Sequence, residues 1–261
     1  MLSYRHGYHA GNPADVFKHQ VLLAVVRAMQ DKPNGIQLVD THAGPGLYDL
    51  SQAPRHEHVV GIQALWDRGA RSPLEADYLE LLAHFNPGLK AGDALHTYPG
   101  SPAIMQHLLR RQDKLVLCEL HPAEQPLLAE RFGDDKRIEL RFQDGYQALN
   151  KVWPPQGGRG LVLIDPSWER ADENAHLIKA LKSALKRFAH GVVVIWYPVI
   201  DNKDCLPDRI PVELGLNDEQ WLDLRVTFPE NQHLGRMHGC GMAIIHCPWR
   251  ARAALLEHQK G

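Results

Sequence analysis

Residues 36–46, Ile36-Gln-Leu-Val-Asp-Thr-His-Ala-Gly-Pro-Gly46, are an apolar run that stops at Asp40 and enters a turn with two glycines. The run has the length of a strand, and the glycines indicate a tight turn after it. Further short apolar runs follow at 114–119, 138–142, 161–165 and 191–197. Apolar residues at helical spacing lie between them, most plainly at 173–188. Strands that alternate with helices predict a parallel sheet with helices on both faces.

Three other segments complete the predicted architecture. Asn12 and Pro13 are typical of a helix start, and apolar residues at helical spacing continue to Gln30, so a helix is predicted over 13–30. Residues 51–99 contain a helical pattern at 73–85, which we interpret as a helical insertion in a single domain spanning 1–261. The runs 221–228 and 241–247 have no helix between them and predict an antiparallel edge pair.

The composition narrows the class of protein. With 44% hydrophobic residues among 261, the chain is long enough to bury one α/β core. A net charge of −2 argues against coating nucleic acid by bulk charge, so a nucleic-acid site has to be a local patch. No run approaches the roughly 18 apolar residues of a membrane span, and the four scattered cysteines suggest reduced thiols. A cytoplasmic location without a membrane partner is therefore expected.

Carboxylates follow four of the five predicted parallel strands, where an open parallel sheet binds its ligands. They are Asp40, Glu119, Asp144 and Asp165. Ionised Glu119 could accept two hydrogen bonds from a ribose diol, although a solvated acid at a strand end is the alternative. Asp144, followed by Gly145, could accept from an adenine amine or simply form a turn. The turn after Asp40 lacks the third glycine of a dinucleotide fingerprint, which disfavours a nicotinamide dehydrogenase.

The most specific motif is Asp165-Pro166-Ser167-Trp168. An exocyclic adenine amine is a poor nucleophile because its lone pair is delocalised into the ring. The Asp165 carboxylate and the Pro166 carbonyl could each accept one N–H and favour a tetrahedral nitrogen, while Trp168 stacks on the base. A strand followed by a proline turn with a half-exposed tryptophan is the alternative.

Several motifs together resemble one family, the bacterial 23S rRNA (adenine-N6)-methyltransferase J family. The motif at 165–168 is similar to the Asp-Pro-Pro-aromatic motif of amino-group methyltransferases. Other landmarks in the same order are Met1-Leu-Ser-Tyr4-Arg-His6, His9-Ala-Gly-Asn12, Lys18-His19, Asp40-Thr-His-Ala-Gly44, Tyr98-Pro-Gly-Ser101-Pro, Asp144-Gly145 and Gly239-Cys-Gly-Met242. The resemblance implies an α/β, Rossmann-like class I S-adenosylmethionine-dependent methyltransferase fold, with a mostly parallel seven-stranded sheet, an antiparallel C-terminal edge pair and an inserted helical segment.

The resemblance also implies roles for individual residues. Asp165 is implied as the catalytic acceptor, and Tyr4 lies near the target adenine together with Pro166 and Trp168. The residues implied to contact S-adenosylmethionine are His19, His42, Ser101, Glu119, Asp144 and Gly145. Without the family, His19 is simply a polar residue on an amphipathic helix and His42 a turn residue. The sequence departs from the family at Ser167, where a second proline is usual, and at His246-Cys247, where an Asn-Pro pair is usual.

The implied reaction is N6-methylation of an adenine in 23S rRNA by a monomer that needs no metal. Phosphate contacts are expected from Arg5, Lys18, Arg110, Arg111, Lys182, Lys186 and Arg187, although many of these also fit a solvated helix face. Two alternatives stay open. One is a DNA amino-methyltransferase acting on adenine N6 or cytosine N4, and the other is a cofactor-binding module that has lost turnover through Ser167.

Overall fold

The sheet of the computed structural model, which describes residues 6–200 and 206–259, is built from short apolar strands. The strands are β1 (Gln37–Asp40), β2 (Leu47–Asp49), β3 (Thr97–Pro99), β4 (Lys114–Cys118), β5 (Ile138–Arg141), β6 (Gly160–Ile164), β7 (Val192–Ile200), β8 (Trp221–Thr227) and β9 (Met237–Ile245). The helices are α1 (Pro13–Gln30), α2 (Ile62–Arg68), α3 (Pro73–Phe85), α4 (Ser101–Leu108), α5 (Gln125–Phe132), α6 (Gly145–Val152), α7 (Glu173–Arg187), α8 (Leu206–Leu214) and α9 (Trp249–His258).

Seven strands form one sheet in the order β5-β4-β1-β6-β7-β9-β8. The first five of these are parallel, and β9 runs antiparallel to both β7 and β8. Both the mostly parallel seven-stranded sheet and the antiparallel edge pair are confirmed. The chain leaves β1 toward β4 on one side and later returns to β6 on the other, so the strand order reverses at β1. Open α/β sheets bind their ligands outside the strand ends at such a reversal.

Helices cover both faces of the sheet because the strand side chains alternate between two cores. Leu38, Leu115 and Leu161 point into one core, which also contains buried residues of α1, α3 and α4. Their neighbours Val39 and Val116 point into the other core, which contains buried residues of α6 and α7. Every central strand is therefore apolar on both faces, and its polar residues are concentrated at its ends.

Helix α1 follows the prediction to the residue, because its start is fixed locally. The side chain of Asn12 accepts a hydrogen bond from the backbone N–H of Asp15, and Pro13 occupies the first turn. The helix packs against α3, α4 and α9 through its apolar face. This packing leaves the first two turns of α1 beside the ends of β1 and β6.

Two predicted segments differ from the observed elements, and strand pairing explains the differences. The helical pattern at 73–85 is α3, and the segment 51–99 also contributes α2 and the strand β3, which pairs with β2. The edge strand expected at 241–247 begins earlier, at Met237, and ends at Ile245, because β9 pairs along its length with both β7 and β8. Helices α8 and α9 were not predicted. A single domain spanning the whole chain stays a prediction.

In the part of the chain that the structure describes, no helix is both long enough and apolar enough to span a bilayer.

Candidate functional site

A cavity of about 350 Å³ opens where the ends of the parallel strands meet the start of α1. Its volume lies within the range of small-molecule sites. Residues that follow β1, β4, β5 and β6 line it, together with the first two turns of α1. The predicted residues among its lining are His19, His42, Ser101, Glu119, Asp144, Gly145, Asp165, Pro166 and Trp168. Tyr4 lies outside the described residues.

Glu119, just after β4, is fixed by the protein backbone. One carboxylate oxygen accepts the N–H of Gly44 at 2.7 Å, and the other accepts the N–H of His121 at 2.6 Å. Gly44 has φ of +61°, a conformation that glycine adopts without strain. Burial raises the pKa of Glu119, while the two backbone donors oppose that rise. Each carboxylate oxygen keeps a second acceptor position, so Glu119 can still bind a pair of hydroxyls.

Asp40, at the end of β1, does not join the rim of the cavity as the sequence suggested. The side chain is fully buried, and it accepts hydrogen bonds from the Ser101 hydroxyl at 2.7 Å and from the His42 backbone N–H at 3.1 Å. Burial raises the pKa of Asp40 to about 7. His42, in the turn after β1, and Ser101, at the start of α4, both line the cavity, and Asp40 supports them from behind through these hydrogen bonds.

His19 is a buried imidazole and His42 a half-buried one, and both are neutral at pH 7. Burial lowers the pKa of His19 well below its ordinary value and lowers the pKa of His42 to about 4. The Nδ1 atom of His19 and the Tyr98 hydroxyl are hydrogen-bonded at 2.8 Å, while its buried Nε2 atom has no partner among the described residues. Since buried polar atoms are nearly always hydrogen-bonded, this Nε2 atom is available to a water molecule or a ligand in the cavity.

Asp144 and Gly145 have structural reasons for their identity. The Asp144 side chain caps α6 by accepting the backbone N–H of Gln147 at 2.9 Å. A Cβ atom on Gly145 would lie 2.1 Å from the carbonyl oxygen of Thr41, so only glycine fits there. This close approach brings the start of α6 against the turn after β1. Both residues line the cavity, and whether either contacts a cofactor stays a prediction.

Asp165, just after β6, pairs with a lysine that sequence reasoning had assigned elsewhere. The Nζ atom of Lys18 lies 2.6 Å from the Asp165 carboxylate and 2.8 Å from that of Asp15. Burial opposes the charge of Lys18, but attraction to Asp15 and Asp165 outweighs it and raises the pKa of Lys18 well above its ordinary value. The expected phosphate contact by Lys18 is wrong, because the residue is only 4% exposed and both of its anionic partners belong to the protein.

The backbone after Asp165 has an unusual conformation. Trp168 has φ of +57°, which costs about 1–3 kcal/mol for a bulky residue and is typical of functional sites. Its ring is half-buried, and its indole N–H has no partner among the described residues. No described residue donates a hydrogen bond to the carbonyl of Pro166. One free acceptor and one aromatic face thus adjoin the Asp165 carboxylate.

One part of the cavity lining is apolar. We call it the apolar wall, and it consists of Trp196, Pro198 and Ile200 from β7 with Leu234 and Met237 at the β8–β9 hairpin. Sequence reasoning missed this wall. Only the tyrosine-proline pair that ends the run at 191–197 hinted at it, and the side chains come together only when β9 pairs with β7.

Comparison with known proteins identifies the relatives of this chain. A family model described as "Ribosomal RNA large subunit methyltransferase D, RlmJ" matches residues 33–259. The chain belongs to this family. Ribosomal RNA large subunit methyltransferase J of Haemophilus influenzae is 38% identical over 98% of this chain and 91% of its own length. The protein of the same name from Escherichia coli is also 38% identical, over 96% of this chain and 89% of its own.

A solved structure also matches closely. A protein from Legionella pneumophila superposes with a TM-score of 0.82 at 31% identity, covering 97% of this chain and 93% of the other. Family membership and fold therefore agree, and the chain is a methyltransferase of this family.

The departures from the family motif are local in the structure. Ser167 lies at the cavity between Pro166 and Trp168 and leaves the Asp165–Lys18 pair in place. His246 has φ of +54° and ends β9, where its Nδ1 atom is hydrogen-bonded to the carbonyl of Gly191 at 3.1 Å. Among the described residues, no group of three or more His, Cys, Asp or Glu could hold a metal ion.

Proposed function

We propose that this protein transfers a methyl group from S-adenosylmethionine to the exocyclic N6 amine of an adenine in 23S rRNA. The observation that carries the proposal is that Asp165-Pro166, after β6, lies in the same cavity as Glu119, after β4. One pair of acceptors thus adjoins the position of an amine, and the other adjoins the position of a ribose. The names of the two curated relatives support ribosomal RNA as the substrate.

The residues of the cavity fit the cofactor. Glu119 has free acceptor positions for ribose hydroxyls, and the unpartnered Nε2 atom of His19 offers one more polar contact. Neutral His19 and His42, with carboxylates nearby, do not repel a sulfonium cation. Ser101, held by its hydrogen bond to Asp40, lies in the same lining. Bound S-adenosylmethionine would supply the electrophilic methyl group.

Asp165 and Pro166 would prepare the amine. The carboxylate accepts one N–H and the free Pro166 carbonyl accepts the other, which localises the lone pair on nitrogen. Lys18 holds the Asp165 side chain at the end of β6 through a largely buried ion pair. The carboxylate that accepts the amine N–H is therefore fixed before the base arrives. As the methyl group passes to nitrogen, the S–C bond breaks and a neutral thioether leaves; the amine must lose a proton, which the Asp165 carboxylate would be positioned to receive.

Trp168 and the apolar wall would hold the base. A purine that leaves its stack needs an aromatic or apolar surface to replace that stacking. Trp168 offers the aromatic face, and the apolar wall offers further apolar surface in the same cavity. In this proposal the protein acts as a monomer, which one chain carrying every group named above supports, and in the cytoplasm, which the ribosomal RNA methyltransferase relatives support.

A transfer assay with labelled cofactor tests the proposal. The protein is incubated with unmodified 23S rRNA transcript and, separately, with duplex DNA, and the labelled nucleoside is identified after digestion. N6-methyladenosine in the RNA pool is the expected result. Label confined to DNA would reject the proposal in favour of a DNA amino-methyltransferase.

The same assay tests the second alternative, a cofactor-binding module that has lost turnover. If the wild type transfers no more label than Asp165→Asn while both bind cofactor, the protein is a binding module. The intact Asp165–Lys18 pair beside Ser167 favours turnover.

A further inference from the structure

The cavity presents an electrostatic problem for an RNA substrate. Six carboxylates line it: Asp15, Glu119, Glu124, Asp144, Asp165 and Glu173. The cations in its lining are Lys18, paired with Asp15 and Asp165, and Arg170, paired with Asp172. This charge suits a sulfonium cation but repels phosphate. If a base enters the cavity, its flanking phosphates have to stay at the mouth and meet a positive charge there.

Most of the cations that the sequence suggested for this task are already engaged by the protein. Lys18 is buried between carboxylates. Arg110 is bound to Asp113 and to backbone carbonyls. Lys182 pairs with Glu213, and Arg187 donates to the carbonyl of Trp153. None of these side chains lies beside the mouth of the cavity as a free cation.

The tip of the β8–β9 hairpin carries a free cation at that mouth. The backbones of Leu234 and Met237 exchange two hydrogen bonds, of 3.0 and 3.1 Å, which close a two-residue turn over Gly235 and Arg236. Gly235 has φ of +63°, as such a turn requires. Leu234 and Met237 line the cavity, while Arg236 between them is exposed.

Arg236 differs from these basic residues in two respects: its side chain is unpaired among the described residues, and its neighbours in the chain line the cavity. Its guanidinium makes no ion pair or hydrogen bond with any residue between 6 and 200 or between 206 and 259. Other lysines and arginines in those ranges also lack such a partner. Among them, Arg236 is the one that lies next to cavity-lining residues in the chain. The turn is closed by backbone hydrogen bonds, so it fixes the backbone of Arg236 between two residues of the apolar wall, within reach of the cavity for a long side chain.

We propose that Arg236 binds a backbone phosphate next to the target nucleotide of the RNA, while Leu234 and Met237 contact the extruded base from the apolar wall. The inference rests on the proposed function and adds the surface by which the RNA strand is held. An arginine fork binds phosphate through two parallel N–H donors, which fixes the strand as well as attracting it. The salt slope is the slope of the logarithm of the binding constant against the logarithm of the salt concentration. For single-strand binding, the loss of one phosphate contact reduces its magnitude by about 0.7.

The test compares Arg236→Gln with Arg71→Gln, a matched control. Arg71 is exposed, has no partner for its guanidinium among the described residues, and does not line the cavity. Binding of 23S rRNA transcript is measured over a range of salt concentrations, and methyl transfer is measured at varied RNA. We expect Arg236→Gln to raise the Kd and the KM for RNA about five-fold and to lower the salt slope by about 0.7.

Three further results complete the design. Arg71→Gln should match the wild type, Arg236→Lys should recover most of the salt slope, and cofactor binding by calorimetry should be unchanged in all three variants. Equal slopes for Arg236→Gln and Arg71→Gln would overturn the inference. Absence of transfer by the wild type would overturn the proposed function instead, because binding and its salt slope are measured without turnover. A wild type that binds no RNA would overturn both.

Discussion

The two sides of the cavity are built from different halves of the sheet. The parallel half ends in carboxylates, and each one is held by donors of the protein: Glu119 by two backbone N–H groups and Asp165 by Lys18. The other half contributes the apolar wall, from the last parallel strand, β7, and from the antiparallel β8–β9 hairpin. Parallel strands place all their carboxyl ends at one edge, whereas an antiparallel pair extends the sheet past that edge.

This difference shows how one fold separates the binding of the cofactor and amine from the binding of the flat base. Charged groups that bind a cofactor and orient an amine need fixed hydrogen bonds, and strand ends beside helix starts provide them. A flat base needs contact area without competing donors, and β7 with the hairpin provides it. Trp168 lies where the two sides meet. The following predictions test whether the two sides really act separately.

The largest effect is expected on the carboxylate side. Asp165→Asn keeps the size of the side chain but removes its charge, so the amine loses its stronger acceptor. We expect kcat to fall on the order of 10²- to 10³-fold, as for loss of one preorganised group, with cofactor affinity changed less than three-fold. Steady-state kinetics and calorimetry measure the two quantities. Asp172→Asn, an exposed aspartate in the same loop, is the control, and an equal loss there would contradict the prediction.

The next effect concerns cofactor binding. Glu119→Ala removes two acceptors, and because hydrogen bonds to a charged group contribute about 1.5–3 kcal/mol, the Kd for S-adenosylmethionine should rise about 10- to 100-fold. The kcat at saturating cofactor should stay near that of the wild type. Calorimetry with S-adenosylmethionine gives the Kd. Glu124→Ala, which also removes an acid from the cavity lining, should change it little, and unchanged affinity in Glu119→Ala would exclude the ribose role.

A smaller effect is expected where the two sides meet. Trp168→Leu keeps an apolar side chain but removes the aromatic face, and stacking on one base contributes about 1–3 kcal/mol. We expect the KM for RNA to rise about five- to ten-fold with little change in the Kd for cofactor. Kinetics at varied RNA measure this. Trp249→Leu removes a tryptophan that is 77% exposed outside the cavity lining, and a similar change there would count against a stacking role.

The last prediction concerns the pH dependence of stability and involves no change in catalysis. Burial lowers the pKa of His42 to about 4, while an unfolded histidine titrates near 6.5, so the unfolded chain binds more protons between these values. The stability from neutral His42 is therefore complete above about pH 6.5 and is lost as the pH falls toward 4, by at most about 3 kcal/mol. Unfolding of His42→Gln should show a shallower decline over that window. His190→Gln, at an exposed position, is the control. If the free energy of unfolding of His42→Gln declined as steeply over this pH range as that of His190→Gln, the prediction would be refuted.

Local signals predicted much of the fold. Helix α1 has the predicted bounds because Asn12 and Pro13 act within one turn of the chain. The parallel strands were located within one or two residues for the most part, because apolar runs flanked by turns are local patterns. The start of β9 was missed, since Met237 to Cys240 join the sheet by pairing rather than through an apolar run.

The candidate site was predicted less completely. Residue types at strand ends, with the motif at 165–168, indicated most of the residues that line the cavity. The partner of Asp165 could not be predicted, because Lys18 lies 147 residues away in the chain. Asp15 and Lys18, three residues apart on α1, were the only local sign of a buried pair.

The sequence by itself determined the alternation of strands and helices, the carboxylates at the strand ends and the motif at 165–168, because each depends on residues a few positions apart. Tertiary structure alone decided which carboxylate faces the cavity and which one is covered. It left Asp40 buried under Ser101, paired Asp165 with Lys18, and brought Leu234 and Met237, the residues on either side of the Gly235–Arg236 turn, to the cavity. These outcomes depend on burial and on contacts between distant parts of the chain, which no local pattern encodes.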